Sequence, residues 1–461
     1  MALDPVTASI LTLRDSDRER FERYQLNWMY YKAREYVDEL GLRNAKEKRL
    51  FRHIAHVLGY VSQVVDTDAR FVMKRRLSVN SPRFEEDILK VWERSNFQSE
   101  KYKLVRYGAN LGDAFLILRN ENPDPNGEVM PVITVANSED MRIEKDPDDQ
   151  TITLWAHQSY IFFDERGRKH VRDWIYYPDR VERYTDEKMD PGYPIAHPFG
   201  EVPVVHIKNI DIGEAYGLSS WHECEPQFDR VNQLGSYAER ILLRYADPSL
   251  LAYGMTPGVG VPVRRGLNED RIYYLDKEAR MELLEYRGNV LPHLLELIDR
   301  ISDNIKDRLP ELSLSKIREQ AGLSGYAVTL HSADFIAKVE ELRGNYANGI
   351  EWINALAIRA MARSTAPLEE FANQVIFEPV FPVDRTEQLR AWAMEKDLGI
   401  LSREEMLRRD GLTEKQIEQR LKEVDDDRGA EGYGLAQLLP MLQEREGDSG
   451  EQDNDNDDDE A

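Results

Sequence analysis

Two groups of residues in this sequence approach metal-binding patterns, and both lack part of what the chemistry needs. His53 and His56 are three residues apart in a helical pattern, a spacing that suits two metal ligands, but no acidic residue stands at a matching position. His222, Glu223 and Cys224 would need a second pair of cysteines to hold the zinc ion of a nucleobase deaminase, and Cys224 is the only cysteine. We therefore predict no metal site here.

The phosphate-binding motifs of nucleotide enzymes are also incomplete. The sequence contains no G-x-x-x-x-G-K-[ST] loop. The stretch GVGVPV, residues 258–263, keeps the first two glycines of a dinucleotide-binding loop but continues as strand-like sequence where that loop requires a helix. Aspartates are so numerous that choosing one nuclease-like carboxylate pair would be arbitrary. We predict that the protein is not an enzyme and needs no cofactor.

Two charged clusters remain as candidate sites. Four carboxylates follow one another at steps of three, four and four residues, which places them on one helix face: Glu296, Asp299, Asp303 and Asp307. Such a face is either a solvated surface or the wall of an aqueous passage for a polyanion, where like charge prevents adhesion. A basic cluster precedes them and is either a solvated loop or a contact for phosphates or acidic partners: Arg264, Arg265 and Arg271.

The stretch REQAGLSGYAVTL, residues 318–330, interrupts a largely helical half of the chain. Gly322 and Gly325 would each cost a helix about 1 kcal/mol relative to alanine. Locally this predicts a turn between two helices, with Gly322 as a C-terminal cap and Ser324 as the next N-cap.

Composition narrows the class of protein. The 461 residues are 41% hydrophobic, contain no apolar run long enough to cross a membrane, and carry a formal net charge of -24. The segment 423–461 holds 15 acidic and 2 basic residues, and we predict that this acidic tail is disordered, either as a solubilising tail or as a site for basic partners. The remainder is still acidic, which argues against a broad basic face that grips nucleic acid. A single cysteine fits a reducing cytoplasm.

The elements that would position these residues fall into four zones. Residues 16–110 have helical periodicity, and residues 113–210 contain short β-branched and aromatic runs that predict an antiparallel β region. Residues 219–310 predict a helix, a short β insert and a second helix, and residues 335–422 are mostly helical with one strand-like run, NQVIFEPVF. The second helix of the third zone carries an apolar stripe, which packs either within the chain or between subunits: Leu291, Leu294, Ile298, Ile301 and Ile305.

The order of these segments resembles the portal proteins of tailed bacteriophages over residues 25–425. The stretches HPFGEVPVVHIKNI, GLSSWHECEPQFDRVNQLGSYAERI, LSGYAV and FEPVFPVDRTEQLRAWAMEKDLGILSREEML occur in that family's order. The positions that carry most of the resemblance surround the first long helix of the third zone and the glycine-rich stretch: Gly217, Ser219, Asp229, Asn232, Ser324, Gly325 and Ala327.

The resemblance implies an α+β subunit of portal type with a helical wing that carries an antiparallel β region, a two-helix stem, a small α/β clip, a helical crown and the acidic tail. The implied segments are as follows: wing 1–218, first stem helix 219–247, clip 248–286, second stem helix 287–310, tunnel-loop region 311–334, long helix and return to the wing 335–383, crown 384–430, and disordered tail 431–461.

The resemblance also implies a function. Portal proteins form a ring of about twelve copies at one capsid vertex of the virion, assembled in the host cytoplasm, through which double-stranded DNA is packaged by the terminase motor and later ejected. Implied partners are the large terminase, the major capsid and scaffolding proteins, and a head-completion or tail adaptor, with no membrane. The four carboxylates would line the channel, and the three arginines would contact the motor, the adaptor or DNA. The constriction would be formed by the tunnel loop: Gly322, Leu323, Ser324, Gly325, Tyr326 and Val328.

Two alternatives stay open from the sequence. A metal-dependent nuclease of the packaging apparatus would cleave DNA as a pure protein. A capsid or adaptor subunit without a channel would assemble without a passage wide enough for a duplex.

Overall fold

A computed structural model describes most of the chain. The chain divides into two units, residues 1–381 and 382–461. The described residues are 5–12, 14–33, 59–121, 127–246, 250–253, 280–283, 290–319, 332–381, 392–399, 401–409, 417 and 419–422. The fold combines α-helices with antiparallel sheets, as the sequence predicts. No helix in these ranges is long and apolar enough to cross a membrane.

The first unit contains nine α-helices among its described residues. Their bounds are α1 Pro5–Leu11, α2 Asp15–Lys32, α3 Tyr60–Val72, α4 Glu85–Arg94, α5 Phe97–Leu111, α6 Glu225–Ala246, α7 Val290–Arg308, α8 Pro310–Glu319 and α9 Ala333–Met361. Helix α6 lies within residues 219–247 and α7 lies within residues 287–310, so both segments contain the long helix that the periodicity predicts.

The strands among the described residues form four antiparallel groups. Their bounds are β1 Ser78–Asn80, β2 Asp113–Asn120, β3 Pro131–Ala136, β4 Met141–Lys145, β5 Thr153–Phe163, β6 Lys169–Tyr176, β7 Arg180–Thr185, β8 Lys188–Met189, β9 Ile195–Ala196, β10 Val204–Lys208, β11 Leu250–Tyr253, β12 Arg280–Leu283 and β13 Gln374–Ile376. One sheet has the order β10-β2-β3, a second has the order β4-β5-β6-β7-β8 with β9 paired to β7, and two further pairs are β1-β13 and β11-β12.

Strand β2 is buried on both faces, which explains its continuous apolar run. Leu116 and Leu118 belong to the main helical core, whereas Phe115 and Ile117 pack in a second cluster with residues of the six-stranded sheet. A strand enclosed in this way does not alternate between apolar and polar residues. The β2 sheet is therefore the layer between the helices and the six-stranded sheet.

The long helix α9 supplies the central stripe of the main core. Its buried residues recur at steps of three and four, as an amphipathic helix requires: Phe335, Val339, Leu342, Tyr346, Ile350 and Ile353. These side chains pack with residues of α3, α5 and β2. The helix α9 is therefore anchored along its length in the main core, against other helices and the β2 sheet.

The pair β1-β13 departs from the predicted zones. Residues 78–80 lie within a region predicted as helical, yet they form a strand with register Ser78 to Ile376. A strand of three residues is too short to show the two-residue alternation that separates a strand from a helix, so the sequence pattern does not reveal it. The partner strand does lie in the predicted run NQVIFEPVF.

The second unit is described only in part. Residues 392–397 are helical, and a helix α10 spans Arg403–Arg409. The Ser402 hydroxyl accepts a hydrogen bond from the Glu405 backbone N–H at 3.1 Å, which satisfies one of the free donors at the start of that helix.

Candidate functional site

The four predicted carboxylates form one exposed face of α7. Each is exposed, whereas Ile298, Ile301 and Ile305 lie on the opposite side of the helix. The exposed acidic residues are Glu296, Asp299, Asp303 and Asp307. The geometry of the predicted acidic face is thus present in the structure.

Two of these carboxylates have cationic partners within the same helix. Arg300 lies 2.7 Å from Glu296, and Lys306 lies 3.2 Å from Asp303. Asp299 and Asp307 have no ion-pair partner within the described ranges. Because exposed pairs of this kind contribute at most about 1 kcal/mol, the face keeps a solvated, largely anionic character.

The apolar side of α7 packs against α6 within the same chain. Ile305 lies in a core cluster with Phe228 and Val231 of α6, and Ile298 and Ile301 pack against that cluster. Phe228 is near the start of α6 and Ile305 near the end of α7, so the two helices run antiparallel, with the β11-β12 pair between them in sequence. Of the two explanations for the apolar stripe, packing within one chain accounts for these isoleucines.

A buried ion pair lies where this helix pair meets the rest of the unit. Lys338 of α9 lies 2.5 Å from Glu311 of α8 and donates a hydrogen bond to the Ser220 carbonyl oxygen at 3.0 Å. Glu311 is 1% exposed. The segment before α6, the helix after α7 and the long helix α9 are therefore fixed to one another at one point.

A second carboxyl group, that of Asp68 on α3, completes this cluster. Burial and the neighbouring Glu311 carboxylate raise the pKa of Asp68 well above its usual range. Burial alone would lower the pKa of Lys338, but the negative charge of the Asp68–Glu311 pair of carboxyl groups raises it. A protonated Asp68 leaves one anion and one cation, which is the charge balance that a buried site favours. The sequence offers no local signal for this cluster, because its members come from three helices.

A second buried network surrounds Asp113 at the start of β2. His206 Nε2 lies 2.6 Å from Asp113 Oδ1, the Gly217 backbone N–H donates to the same oxygen at 2.8 Å, and the Tyr24 hydroxyl donates to Oδ2. Burial raises the pKa of Tyr24 well above its usual range, and the Asp113 charge adds to this. The network holds α2, β2, β10 and the segment before α6 together.

Gly217 is needed here because two backbones approach closely. A Cβ atom at position 217 would lie 2.4 Å from the Gly112 carbonyl oxygen, and a Cβ at Gly112 would lie equally close to the Gly217 carbonyl oxygen. Gly112 also has a φ of +97°, in the left-handed region. Gly217 is one of the positions that carries the family resemblance, and the structure gives it this physical role.

The other resemblance positions near α6 also contact the rest of the first unit or are buried in it. The Tyr30 hydroxyl donates to Asp229 at 2.6 Å, and Ser219 and Asn232 are 6% and 4% exposed. These residues therefore position the first long helix of the pair and do not form a solvent-facing site.

The remaining candidates lie outside the described residues or form no site. The predicted tunnel-loop residues 322–328, the arginine cluster at 264, 265 and 271, and His53 with His56 lie outside the described ranges. His222–Cys224 forms a 3-10 turn in which Cys224 is buried, and burial raises the pKa of its thiol. Within the described part of the chain, no three His, Cys, Asp or Glu side chains are grouped as a metal site would require.

The sequence matches the family model of the phage portal protein, SPP1 Gp6-like, over residues 11–430. Because the match spans most of its length, this chain belongs to that family, which confirms the resemblance described above. No curated protein matches the sequence.

Three solved structures are similar to this chain at low identity. The neck of a native GTA particle computed with C12 symmetry is 16% identical, with coverage of 77% of this chain and 91% of that chain and a TM-score of 0.45. The neck of an empty GTA particle computed with C6 symmetry is 17% identical, with coverage of 80% and 94% and a TM-score of 0.46. The virion of a native gene transfer agent particle is 17% identical, with coverage of 83% and 99% and a TM-score of 0.45.

Proposed function

We propose that this chain is the subunit of a ring-shaped portal channel through which double-stranded DNA enters and leaves a phage capsid. The observation that carries the proposal is the exposed carboxylate face of α7 in a chain of the portal family. A wall of carboxylates repels DNA phosphates, so a duplex can move past it without the counterion release that drives tight binding. The role is structural, and the protein is not an enzyme.

In this proposal about twelve copies form the ring at one vertex of the virion. The α6–α7 pair forms the stem, and residues 1–218 and 335–383 form the wing. Residues 248–286 form the clip, where the large terminase docks during packaging and the head-completion or tail adaptor docks afterwards. The major capsid and scaffolding proteins surround the wing, and residues 384–430 form the crown. We assign the narrowest point to residues 322–328 and a motor, adaptor or DNA contact to the arginines at 264, 265 and 271.

Ring formation is tested by native mass spectrometry and negative-stain microscopy of the purified chain. We expect a closed ring of about a dozen copies with an opening wide enough for a duplex. A monomer at all protein and salt concentrations would contradict the proposal, and an assembly without such an opening would favour the capsid or adaptor alternative. Cleavage of DNA that depends on a divalent metal would favour the nuclease alternative.

The carboxylate face is tested by charge reversal. A variant with Glu296→Lys and Asp303→Lys should form rings but retain DNA at low salt and package less of it, because the wall then attracts phosphates. The matched control carries Glu93→Lys and Glu165→Lys, two exposed residues of the wing with the same total change in charge. Equal packaging by both variants would show that the α7 face does not line the passage.

A further inference from the structure

The helix α7 has two leucines that remain exposed in the described part of the chain. Leu295 is 46% exposed and Leu297 is 40% exposed. Residues two positions apart on a helix are rotated by about 200° around its axis, so the two leucines lie on opposite flanks of α7. Each flank lies between the α6-facing side of the helix and its acidic face.

Each leucine is followed one turn later by a charge, and the two charges have opposite signs. Asp299 comes four residues after Leu295, and Arg300 comes three residues after Leu297, so each charge shares the flank of its leucine. Arg300 is 75% exposed in its side chain and pairs with Glu296 of its own helix, while Asp299 has no ion-pair partner among the described residues. We name these the acidic flank, Leu295 with Asp299, and the basic flank, Leu297 with Arg300.

The two flanks are complementary to each other and not to themselves. Contact between two acidic flanks would oppose Asp299 to its own copy, and contact between two basic flanks would oppose two guanidinium groups. When the acidic flank of one helix lies against the basic flank of another, leucine contacts leucine and the carboxylate faces the guanidinium group. The two charged groups lie at nearly the same height, because Asp299 and Arg300 are about 1.5 Å apart along the helix axis. Different surfaces that join in this way give a head-to-tail contact, the type that closes into rings.

We propose that the occupant of both flanks is a second copy of this chain, with Leu295 and Asp299 of one subunit against Leu297 and Arg300 of the next. The inference rests on the proposed ring and specifies the contact that forms its stem. In this arrangement neighbouring α7 helices lie side by side, and their acidic faces remain uncovered.

Cysteine cross-linking tests the contact. The only natural cysteine, Cys224, is buried, so exposed cysteines at new positions react alone. Under mild oxidation a variant with both Leu295→Cys and Leu297→Cys should give a ladder of covalent oligomers that ends at the ring size, and each single variant should give none. Dimers from a single variant would show contact between like flanks and overturn the proposal.

Charge exchange gives an independent test in the intact protein. Arg300→Asp alone and Asp299→Arg alone should each raise several-fold the concentration at which half of the chains are in rings. The double variant, which exchanges the two charges, should restore assembly toward wild type, and failure to do so would contradict the pairing. Wild-type rings without a cysteine ladder would overturn this contact while the proposed function stands, whereas the absence of wild-type rings would refute the proposed function itself.

Discussion

Lys338 and Glu311 form a buried ion pair of 2.5 Å that joins the long helix α9 to the short helix α8. The two helices flank residues 320–331 in the sequence, and Lys338 also bonds to the segment before α6. The pair thus ties the start of α8 to the first turns of α9, the two helices that flank the segment proposed as the channel constriction.

Lys338→Met should destabilise the protein strongly, by about 3–5 kcal/mol, because it leaves the Glu311 carboxylate buried without a cation. Denaturant unfolding followed by circular dichroism measures the change in the free energy of unfolding. The double variant Glu311→Gln with Lys338→Met should recover much of the loss, since it removes both charges. Equal loss in the single and double variants would mean that the pair contributes through packing alone.

Asp68→Asn should make the protein more stable at neutral pH and should flatten the decline of stability as pH rises. The raised pKa of Asp68 means that the folded state holds a proton that the unfolded chain releases above the ordinary aspartate pKa of 3.8. Stability from this group is therefore full at low pH and is lost as pH rises from there toward the raised value. The asparagine side chain of the variant has no such proton to lose and can still donate a hydrogen bond.

The comparison for Asp68→Asn is best made above pH 6. Burial and the neighbouring Glu139 charge raise the pKa of Asp140 to about 6, so this residue adds a second decline that ends near that value. Free energies of unfolding of wild type and Asp68→Asn that change in parallel between pH 6 and pH 8 would contradict the raised pKa of Asp68.

Gly217→Ala should cost about 1–3 kcal/mol, because its Cβ would lie 2.4 Å from the Gly112 carbonyl oxygen and 3.1 Å from the Asn209 backbone nitrogen. Backbone atoms cannot move aside as a flexible side chain would. Gly344→Ala is the matched control, because this glycine is inside α9 and a Cβ added there would have no neighbour within 4 Å. Its free energy of unfolding should rise by about 0.5–1 kcal/mol. Thermal unfolding of both variants measures the contrast.

Asp113→Asn should destabilise the unit by about 1.5–3 kcal/mol, because the amide nitrogen cannot accept one of the hydrogen bonds that the carboxylate receives from Tyr24, His206 and Gly217. Asp179→Asn, at an exposed residue, should remain near wild type. Chemical denaturation distinguishes them, and similar midpoints for the two variants would exclude a stabilising role for the Asp113 network.

Local patterns in the sequence predicted most of the described elements, though not strand β1, and they predicted the acidic face. The strands β2, β3, β5 and β6 fall within the predicted β region, residues 113–210, and the spacing of the α7 carboxylates sets their common face without any tertiary information. Both signals depend only on residues close in sequence.

Contacts between distant segments could not be predicted in the same way. Asp68, Glu311 and Lys338 each stand in an ordinary helical pattern, and nothing in any one helix indicates that the three would meet. Asp113 and His206 likewise meet only because β2 and β10 pair in one particular register, Phe115 opposite His206. Such registers depend on the whole sheet and its covering helices.

The pair β1-β13 has a consequence for the order in which the protein is made. Ser78 and Ile376 are paired although about 300 residues separate them, so the unit cannot close until the ribosome has passed residue 376. By then the whole α6–α7 pair has been synthesised. A chain that terminates early leaves β1 without its partner strand and exposes an unpaired edge, so only a nearly complete chain can protect this edge.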